Sequence, residues 1–234
     1  MLTRERVPEL MDDPTLDHAE HEKALQGLAR LNSASGAVWA LWRPIRRLAN
    51  LLGRRELRVL DIATGSADNP IALWELATRG GYELRIDGCD VSEVAVECSR
   101  LAAEKLGAPC NFFSANAVTD ELPANQYDVV MTSLFTHHLA REEVVALLRR
   151  MSAAAKHLVL VDDLVRSYPN LLMVSLATRV LSRSPVVHFD GPASVRNSFT
   201  AQEFSDMASE AGLVGGRVQE HFPCRMLFEC RKNQ

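Results

Sequence analysis

Short apolar runs alternate with amphipathic stretches along most of the chain. Apolar positions recur at helical spacing between the runs, which predicts strands that alternate with helices in an α/β fold. The runs that predict strands are Val59–Ile62, Leu84–Asp90, Cys110–Ser114, Asp128–Leu134, Lys156–Asp163, Val218–His221 and Cys224–Cys230. The stretches that predict helices between the strands are Pro70–Thr78, Glu93–Leu106, Arg141–Ala155, Leu171–Leu181 and a helix that opens at Thr200.

The part of the chain before the first strand follows a different pattern. Residues 1–16 are polar and predict an arm with loose packing. Helical spacing of apolar residues then predicts one helix from Leu16 to Leu31 and a second from Ala37 to Leu52, which Pro44 is expected to kink or divide. We expect residues 1–52 to form an N-terminal helical cap or arm and residues 53–234 to form the main domain. The alternative is a helix pair that only packs.

Composition excludes several classes of protein. The 234 residues, 47% of them hydrophobic, suffice for a substantial core, and the net charge of -4 does not favour nucleic acid as a partner. No apolar stretch is long enough for a membrane span, and the first residues lack an apolar signal segment. The odd number of cysteines, five without a CxxC pair, favours free thiols and a cytoplasmic location.

The motif with the most specific chemistry lies at residues 57–70. The apolar run Val59–Ile62 carries Asp61, and small residues follow it at positions 63–67 before a helix begins. Small side chains let the backbone approach a ligand closely, and the N-terminus of a helix offers unpaired N–H groups to an anionic one. In open α/β sheets, ligands bind at this end of a strand.

This stretch resembles the first motif of the class I S-adenosylmethionine (SAM)-dependent methyltransferases, Asp-x-Gly-x-Gly-x-Gly. The chain keeps Asp61 and Gly65 but has Ala63 and Ala67 at the outer glycine positions. Asp90 follows the second predicted strand, 25 positions after Gly65, a spacing at which Rossmann-like domains place an acid on the ribose. The alternative for Asp90 is a cap on the next helix.

A third segment, Ala115-Asn116-Ala117 followed by Leu122-Pro123, resembles the family segment that contacts adenine. The chain has Asn116 in place of the family's acid, and an amide can still pair with adenine. The alternative is an ordinary turn. The cofactor site that the resemblance implies consists of Asp61, Ala63, Thr64, Gly65, Ser66, Asp90, Val91, Asn116, Ala117 and Ser133.

The segment from Tyr127 to Leu139 resembles the Phe-Asp-Val-Val…His-His-Leu segment of small-molecule methyltransferases similar to the ubiquinone and menaquinone biosynthesis enzymes. The resemblance implies that its end faces the transferable methyl group. The candidate catalytic bases are His137 and His138 at this end, together with His188 further along the chain. The chain lacks the Asn/Asp-Pro-Pro-Tyr/Phe signature of amino-group methylation, and we expect no metal ion.

Residues 164–199 form a long excursion after the fifth predicted strand, and 171–181 are strongly apolar. Insertions at this place in the fold commonly build the acceptor pocket, so the resemblance implies a lipophilic or aromatic acceptor. The alternative is a lid that packs without touching substrate. The candidate substrate-binding residues are Phe135, Asp163, Arg166, Asp190 and Arg196.

The resemblance covers about residues 50–232 and implies a Rossmann-like three-layer sandwich. Its seven-stranded sheet is expected to be mostly parallel with an antiparallel last strand. The expected function is transfer of a methyl group from SAM to an oxygen or carbon of a small acceptor, with a homodimer as the further partner. The alternatives are an NAD(P)-dependent oxidoreductase and a SAM-binding regulatory protein that has lost catalysis.

Overall fold

The computed structural model describes residues 2–12, 15–17, 19–20, 23–24, 27, 30–31 and 36–232. The strands are β1 (Glu56–Ile62), β2 (Glu83–Asp90), β3 (Cys110–Ser114), β4 (Tyr127–Ser133), β5 (Ala155–Leu164), β6 (Arg217–His221) and β7 (Arg225–Arg231). The α-helices are α1 (Ala37–Leu52), α2 (Asp68–Arg79), α3 (Glu93–Leu106), α4 (Arg141–Ala154), α5 (Tyr168–Leu181), α6 (Pro185–Asn197) and α7 (Ala201–Glu210). Short 3-10 turns occupy Leu10–Asp12 and Thr136–His138.

The strands form one seven-stranded sheet in the order β3-β2-β1-β4-β5-β7-β6. Strands β1 to β5 pair in parallel, whereas β7 pairs antiparallel with both β5 and β6. The predicted sandwich and the closing hairpin are thus confirmed. The strand order reverses direction between β1 and β4, and ligands bind at such a switch point, outside the carboxyl ends of the strands.

The two faces of the sheet bury alternate side chains. Leu57 and Val59 of β1 pack with the helices α1 and α2, while Leu60 and Ile62 of the same strand pack with α4 and α7. This two-residue period follows from the pleat of a strand, which points successive side chains to opposite faces. Helix layers therefore cover both faces, and the functional residues lie at the carboxyl edge of the sheet.

Helix α1 runs unbroken from Ala37 to Leu52, so Pro44 does not divide it, which was one of the two expected outcomes. Pro44 removes one backbone N–H from the helix. The buried stripe of Leu41, Ile45 and Leu48 holds both halves against the sheet, and this burial outweighs the lost hydrogen bond. Of the helix predicted for residues 16–31, the described residues 19–20, 23–24, 27 and 30–31 are helical, and the other residues from 18 to 29 lie outside the described residues.

The N-terminal segment (residues 2–12) packs on α6, contrary to the loose arm expected from its polarity. Asn197 forms two hydrogen bonds with the backbone of Val7, at 2.8 and 2.9 Å. The backbone N–H groups of Leu10 and Met11 donate to the Asp190 carboxylate at 2.7 and 3.1 Å. Polar side chains of α6 thus pair with backbone groups of the segment, a contact that a hydrophobicity pattern cannot indicate.

No helix among the described residues is both long and apolar enough to cross a bilayer. The five cysteines are free, as expected.

Candidate active site

The turn between β1 and α2 has an unusual backbone. Ala63, Gly65 and Ala67 have φ angles of 54°, 55° and 65°, all in the left-handed region that favours glycine. A non-glycine residue in this region costs about 1–2 kcal/mol, so the two alanines store strain. These three positions are the ones at which the resembled motif has glycines, and the structure keeps the glycine conformation without the outer glycines.

Asp90, at the end of β2, is joined to this turn. One carboxylate oxygen accepts the N–H of Gly65 at 3.0 Å, and the other accepts the N–H of Ser92 at 2.9 Å. The N-cap of α3 is Ser92, whose hydroxyl accepts the N–H of Ala95 at 3.2 Å. Asp90 is therefore not the helix cap, and its carboxylate lies beside the turn that the sequence predicts for the cofactor.

Asp61 is a buried carboxylate on the same side of the sheet. Its Oδ2 accepts the hydroxyl of Thr64 at 2.9 Å, whereas Oδ1 has no hydrogen-bond partner among the described residues. Burial raises the pKa of Asp61 to about 7, and the charge of Asp90 adds to this rise while the Thr64 hydrogen bond opposes it. A carboxylate with an unpaired oxygen suits a cationic group, such as the ammonium of SAM.

Gly88 makes room for this arrangement. A Cβ atom at position 88 would lie 2.9 Å from the Thr64 hydroxyl and 2.7 Å from the ring of Phe112. Both contacts are too close, so only glycine lets the turn pack against β2.

The other predicted cofactor residues differ in their surroundings. The side-chain carbonyl of Asn116 accepts the N–H of Val118 at 3.0 Å, within a local turn. Ala117 is buried in the core, and Val91 is exposed. Ser133 donates to Asp162 at 3.2 Å and therefore belongs to a polar cluster described below. Ser66 lies in the turn, and its hydroxyl donates to the carboxylate of Asp68 at 3.2 Å. The turn and Asp90 are thus the parts of the predicted site that the structure brings together most closely.

A cavity of about 380 Å³ lies beyond the carboxyl end of β4. Its wall is mainly apolar and includes Leu134, Met173, Val174 and Phe222. Helices α5 and α6, from the segment expected to build the acceptor pocket, supply part of this wall. The polar lining residues are Glu9, His137, His138, Thr178, Ser194 and Arg225. A pocket with an apolar wall and a few polar groups is typical of a small-molecule site.

His137 is the most firmly held of these polar residues. Its Nδ1 lies 2.7 Å from Oδ1 of Asp163, and its backbone N–H donates to Oδ2 at 3.1 Å. Asp163 also accepts the hydroxyl of Thr136 at 2.5 Å and the N–H of Leu164 at 2.7 Å. Two of the predicted residues, one proposed as a base and one for substrate binding, therefore form a buried histidine–carboxylate pair.

The charges of this pair favour ionisation of both partners. Burial opposes a charged His137, but the charge and hydrogen bond of Asp163 outweigh it and raise the pKa of the imidazole. Burial likewise opposes a charged Asp163, but His137 and the two hydrogen bonds of Thr136 and Leu164 lower the pKa of that carboxyl. The ionised carboxylate accepts the Nδ1–H in both charge states of the ring, so Nε2 is the atom that gains or loses the proton.

Glu9 and His138 complete the polar side of the cavity. Oε1 of Glu9 lies 3.7 Å from Nε2 of His137, and the rings of the two histidines are 4.2 Å apart between centroids. One side-chain nitrogen or oxygen atom from each of Glu9, His137 and His138 lies within 4.8 Å of those of the other two residues. Ser194 donates its hydroxyl to Glu9 at 2.7 Å. The N-terminal segment therefore contributes a carboxylate to the site.

A second charged cluster borders the cavity at Arg225. Its guanidinium contacts the buried Asp162 and donates to Ser133 at 2.9 Å, while Nε2 of His221 lies 2.9 Å from the same carboxylate. Arg225 is buried, and its Nε has no partner among the described residues. A buried cation paired with Asp162 thus lies at the start of β7.

The remaining predicted residues have structural contacts. Arg166 is buried and binds the carbonyls of Leu2 and Ser198 and the carboxylate of Glu203. His188 lies on α6 with Nε2 2.9 Å from the carbonyl of Ser182. Asp190 holds the N-terminal segment, and the carbonyl of Arg196 accepts the N–H of Glu5 at 3.3 Å. Phe135 is half-buried against the core.

Sequence reasoning missed Glu9 and Arg225. Glu9 lies in a polar stretch that resembles a solvated arm, and nothing near it in the sequence indicates a site. Arg225 gave one signal, since it is a charged residue directly before the apolar run Met226–Phe228 of the closing hairpin. Such a residue needs a buried partner, but the sequence does not show which.

Comparison with known proteins supports this reading of the fold. Residues 59–157, from β1 into β5, match the model of a methyltransferase domain. The plantazolicin methyltransferase BamL, solved with a desmethyl analogue and S-adenosylhomocysteine (SAH), superposes with a TM-score of 0.71 at 16% identity, covering 93% of this chain and 92% of BamL. No curated protein sequence matches the chain.

Two further structures have the same fold. Magnesium protoporphyrin IX methyltransferase from Synechocystis PCC 6803 gives a TM-score of 0.59 at 14% identity, covering 94% of this chain and 90% of that one. A proposed O-methyltransferase from Nostoc punctiforme PCC 73102 gives 0.61 at 21% identity and covers 87% of this chain. The present chain spans 58% of the length of the Nostoc protein.

Residues 59–157 thus match a methyltransferase domain, and the chain has the fold that these methyltransferase structures share.

Proposed function

We propose that the protein is a class I SAM-dependent methyltransferase of the small-molecule type, which methylates a hydroxyl group of a small aromatic or lipophilic acceptor that binds in the cavity beyond β4. The observation that supports this most is the buried His137–Asp163 pair on the polar side of an apolar cavity. An apolar wall favours a lipophilic body, and a histidine held by a carboxylate suits proton removal from a hydroxyl.

We further propose that the turn at residues 63–67 holds the cofactor. The positive φ angles turn the backbone toward the strand edge, and Gly65 leaves the space above its Cα open, with no atom within 4 Å of a Cβ built there. Asp61 would take the ammonium group and Asp90 the ribose hydroxyls, since carboxylates accept hydrogen bonds from both. Asn116 would meet the adenine through its amide nitrogen, because its carbonyl is engaged locally.

SAM supplies a methyl group already activated as a sulfonium, and the chain must align the acceptor and remove one proton. Nε2 of His137 takes the hydroxyl proton while the acceptor oxygen forms a bond to the methyl carbon. The carbon–sulfur bond breaks with its electron pair on sulfur, which leaves SAH. Asp163 fixes the tautomer and stabilises the imidazolium, as the carboxylate does in other histidine–carboxylate pairs.

Two of the histidines predicted as bases have weaker support. His138 is half-buried, lines the cavity and packs against the ring of His137. His188 points its Nε2 at a backbone carbonyl and is not a lining residue. We assign the base to His137, because Asp163 holds its ring at the wall of the cavity.

A cytoplasmic location and a homodimer remain predictions.

Calorimetric titration with SAM, and with NAD as the alternative cofactor, tests the proposed cofactor. We expect saturable binding of SAM and no binding of NAD. The proposed hydroxyl acceptor is tested by incubation with methyl-labelled SAM and alkylphenols of increasing chain length. The matching alkylbenzenes, which lack the hydroxyl, are the controls. Transfer to the phenols alone supports a hydroxyl acceptor, whereas equal labelling of the alkylbenzenes or of none of the compounds would argue against it.

A further inference from the structure

His137 lies between two carboxylates that come from distant parts of the chain. Asp163 belongs to β5 and lies 2.7 Å from Nδ1, whereas Glu9 belongs to the N-terminal segment and lies 3.7 Å from Nε2. Both are largely shielded from solvent, with side-chain exposures of 1% and 11%. The ring therefore has a carboxylate on each nitrogen.

The two contacts are chemically different. Asp163 accepts the Nδ1–H, so Nε2 of the neutral ring carries a lone pair that faces the carboxylate of Glu9. A separation of 3.7 Å is too long for a hydrogen bond between them, and two acceptors facing each other repel. An acceptor oxygen placed between them can lie within hydrogen-bond distance of both atoms. A proton on Nε2 turns the repulsion into attraction.

We propose that Glu9 is a positioning residue that holds the charge His137 acquires on taking the proton of the acceptor. The base then reaches its full strength only when the N-terminal segment is docked. This inference rests on the proposed function, in which His137 is the base. It adds a residue from outside the matched methyltransferase domain of residues 59–157.

The N-terminal segment is built to fix Glu9 in this place. On the carboxyl side of Glu9, the N–H groups of Leu10 and Met11 bind Asp190 of α6. On its amino side, the Arg4 guanidinium donates to the carbonyl of Leu139 at 2.7 Å and to that of His137 at 3.3 Å. Arg4 thus ties the segment to the same turn that carries the base.

The charged groups around His137 come from four elements. Asp163 of β5 and Glu9 of the N-terminal segment favour the imidazolium, and Arg225 of β7 opposes it. His138 on the same 3-10 turn stacks on the ring, and Arg4 binds the backbone carbonyl of His137. Glu9 therefore offsets the nearby cation Arg225, and its negative charge contributes to the raised pKa of His137.

The direct test measures the titration of His137 by ring ¹⁵N NMR on the full chain. Three proteins are compared: the wild type, Glu9→Gln, and Glu5→Gln as a control with the same charge change at an exposed position of the same segment. We expect the midpoint for His137 to fall by about one pH unit in Glu9→Gln and to stay unchanged in Glu5→Gln. Equal midpoints in wild type and Glu9→Gln would overturn the proposal.

The pH profile of kcat gives a second, independent readout. In Glu9→Gln we expect kcat to fall about tenfold and the acidic limb of the profile to move to lower pH, with partial recovery in Glu9→Asp. If Glu9→Gln does not fold, Ser194→Ala keeps the charge and removes only the hydrogen bond that orients it, and should lower kcat by about threefold. An unchanged profile in both variants would contradict the proposal. The NMR arm still decides if the wild type methylates no tested phenol, so the two proposals fail separately.

Discussion

The cofactor edge and the acceptor cavity are built in different ways. The cofactor edge takes its geometry from one turn and the strand next to it, since residues 61–67 and Asp90 are joined by hydrogen bonds within this short stretch. The acceptor cavity instead collects Glu9, His137, Asp163 and Arg225 from four separate segments. The difference teaches that a local motif suffices to specify the proposed cofactor site, whereas the proposed acceptor site exists only once the fold brings distant segments together.

The largest effect should come from the carboxylate behind the base. In Asp163→Asn, the side-chain NH₂ can donate to Nδ1 and force the proton onto Nε2, which makes the ring a donor where a base is needed. We expect kcat to fall about 10³-fold or more, with SAM affinity unchanged. Labelled methyl transfer to the phenols measures this effect, and Asp206→Asn at an exposed position of α7 is the matched control. Wild-type rates in Asp163→Asn would show that the cavity does not depend on this pair.

The next effect concerns the cofactor edge. Asp90→Ala removes the predicted ribose acceptor and the anchor for the N–H of Gly65. We expect the dissociation constant for SAM to rise about 30-fold or more, the equivalent of about 2 kcal/mol for a charge-assisted hydrogen bond. Glu83→Ala, at the opposite end of β2, should leave calorimetric SAM binding unchanged. Unchanged affinity in Asp90→Ala would remove the ribose role.

A third effect depends on pH. The pKa of Asp61, raised by burial to about 7, means that the folded state keeps a proton that the unfolded chain has released. Its contribution to stability is fully present below about pH 4 and is lost as pH rises towards 7. The wild type should therefore lose about 2–3 kcal/mol relative to Asp61→Asn between pH 5 and pH 8. Urea denaturation at the two pH values measures this, and parallel changes in both proteins would contradict it.

The smallest effect tests the strain in the turn. Ala63→Gly should raise the free energy of unfolding by about 1 kcal/mol, because glycine adopts a φ of 54° without a steric penalty. The same change at Ala72, inside α2, should lower the free energy of unfolding by about 1 kcal/mol. If both substitutions destabilise the protein equally, the turn stores no strain.

The fold was predictable in large part because each strand and helix of the main domain has a clear local pattern. The mostly parallel seven-stranded sheet with its antiparallel closing strand came from the resemblance to a family and is confirmed. The packing of residues 2–12 was not predictable, because it depends on side chains of α6 such as Asn197 and Asp190 that pair with backbone groups. A polar sequence resembles a solvated arm until its partners are known.

The candidate site divides in the same way. Asp61, the turn and Asp90 lie close together, as their spacing predicts. His137 and Asp163 are 26 positions apart and meet because β4 and β5 are neighbouring strands. The sequence analysis predicted both as site residues but did not predict that they pair. Glu9 was missed because it contacts His137, which is far from it in the sequence. The predicted substrate residue Arg166 instead binds Leu2, Ser198 and Glu203.

The central claim is that the cofactor edge and the acceptor cavity meet at the end of β4. A crystal structure of the complex with SAH tests it most directly. We predict that the ribose hydroxyls contact Asp90 and that the sulfur faces the cavity within reach of His137. A complex in which the ribose lies away from Asp90, or in which the sulfur points away from that cavity, would contradict it.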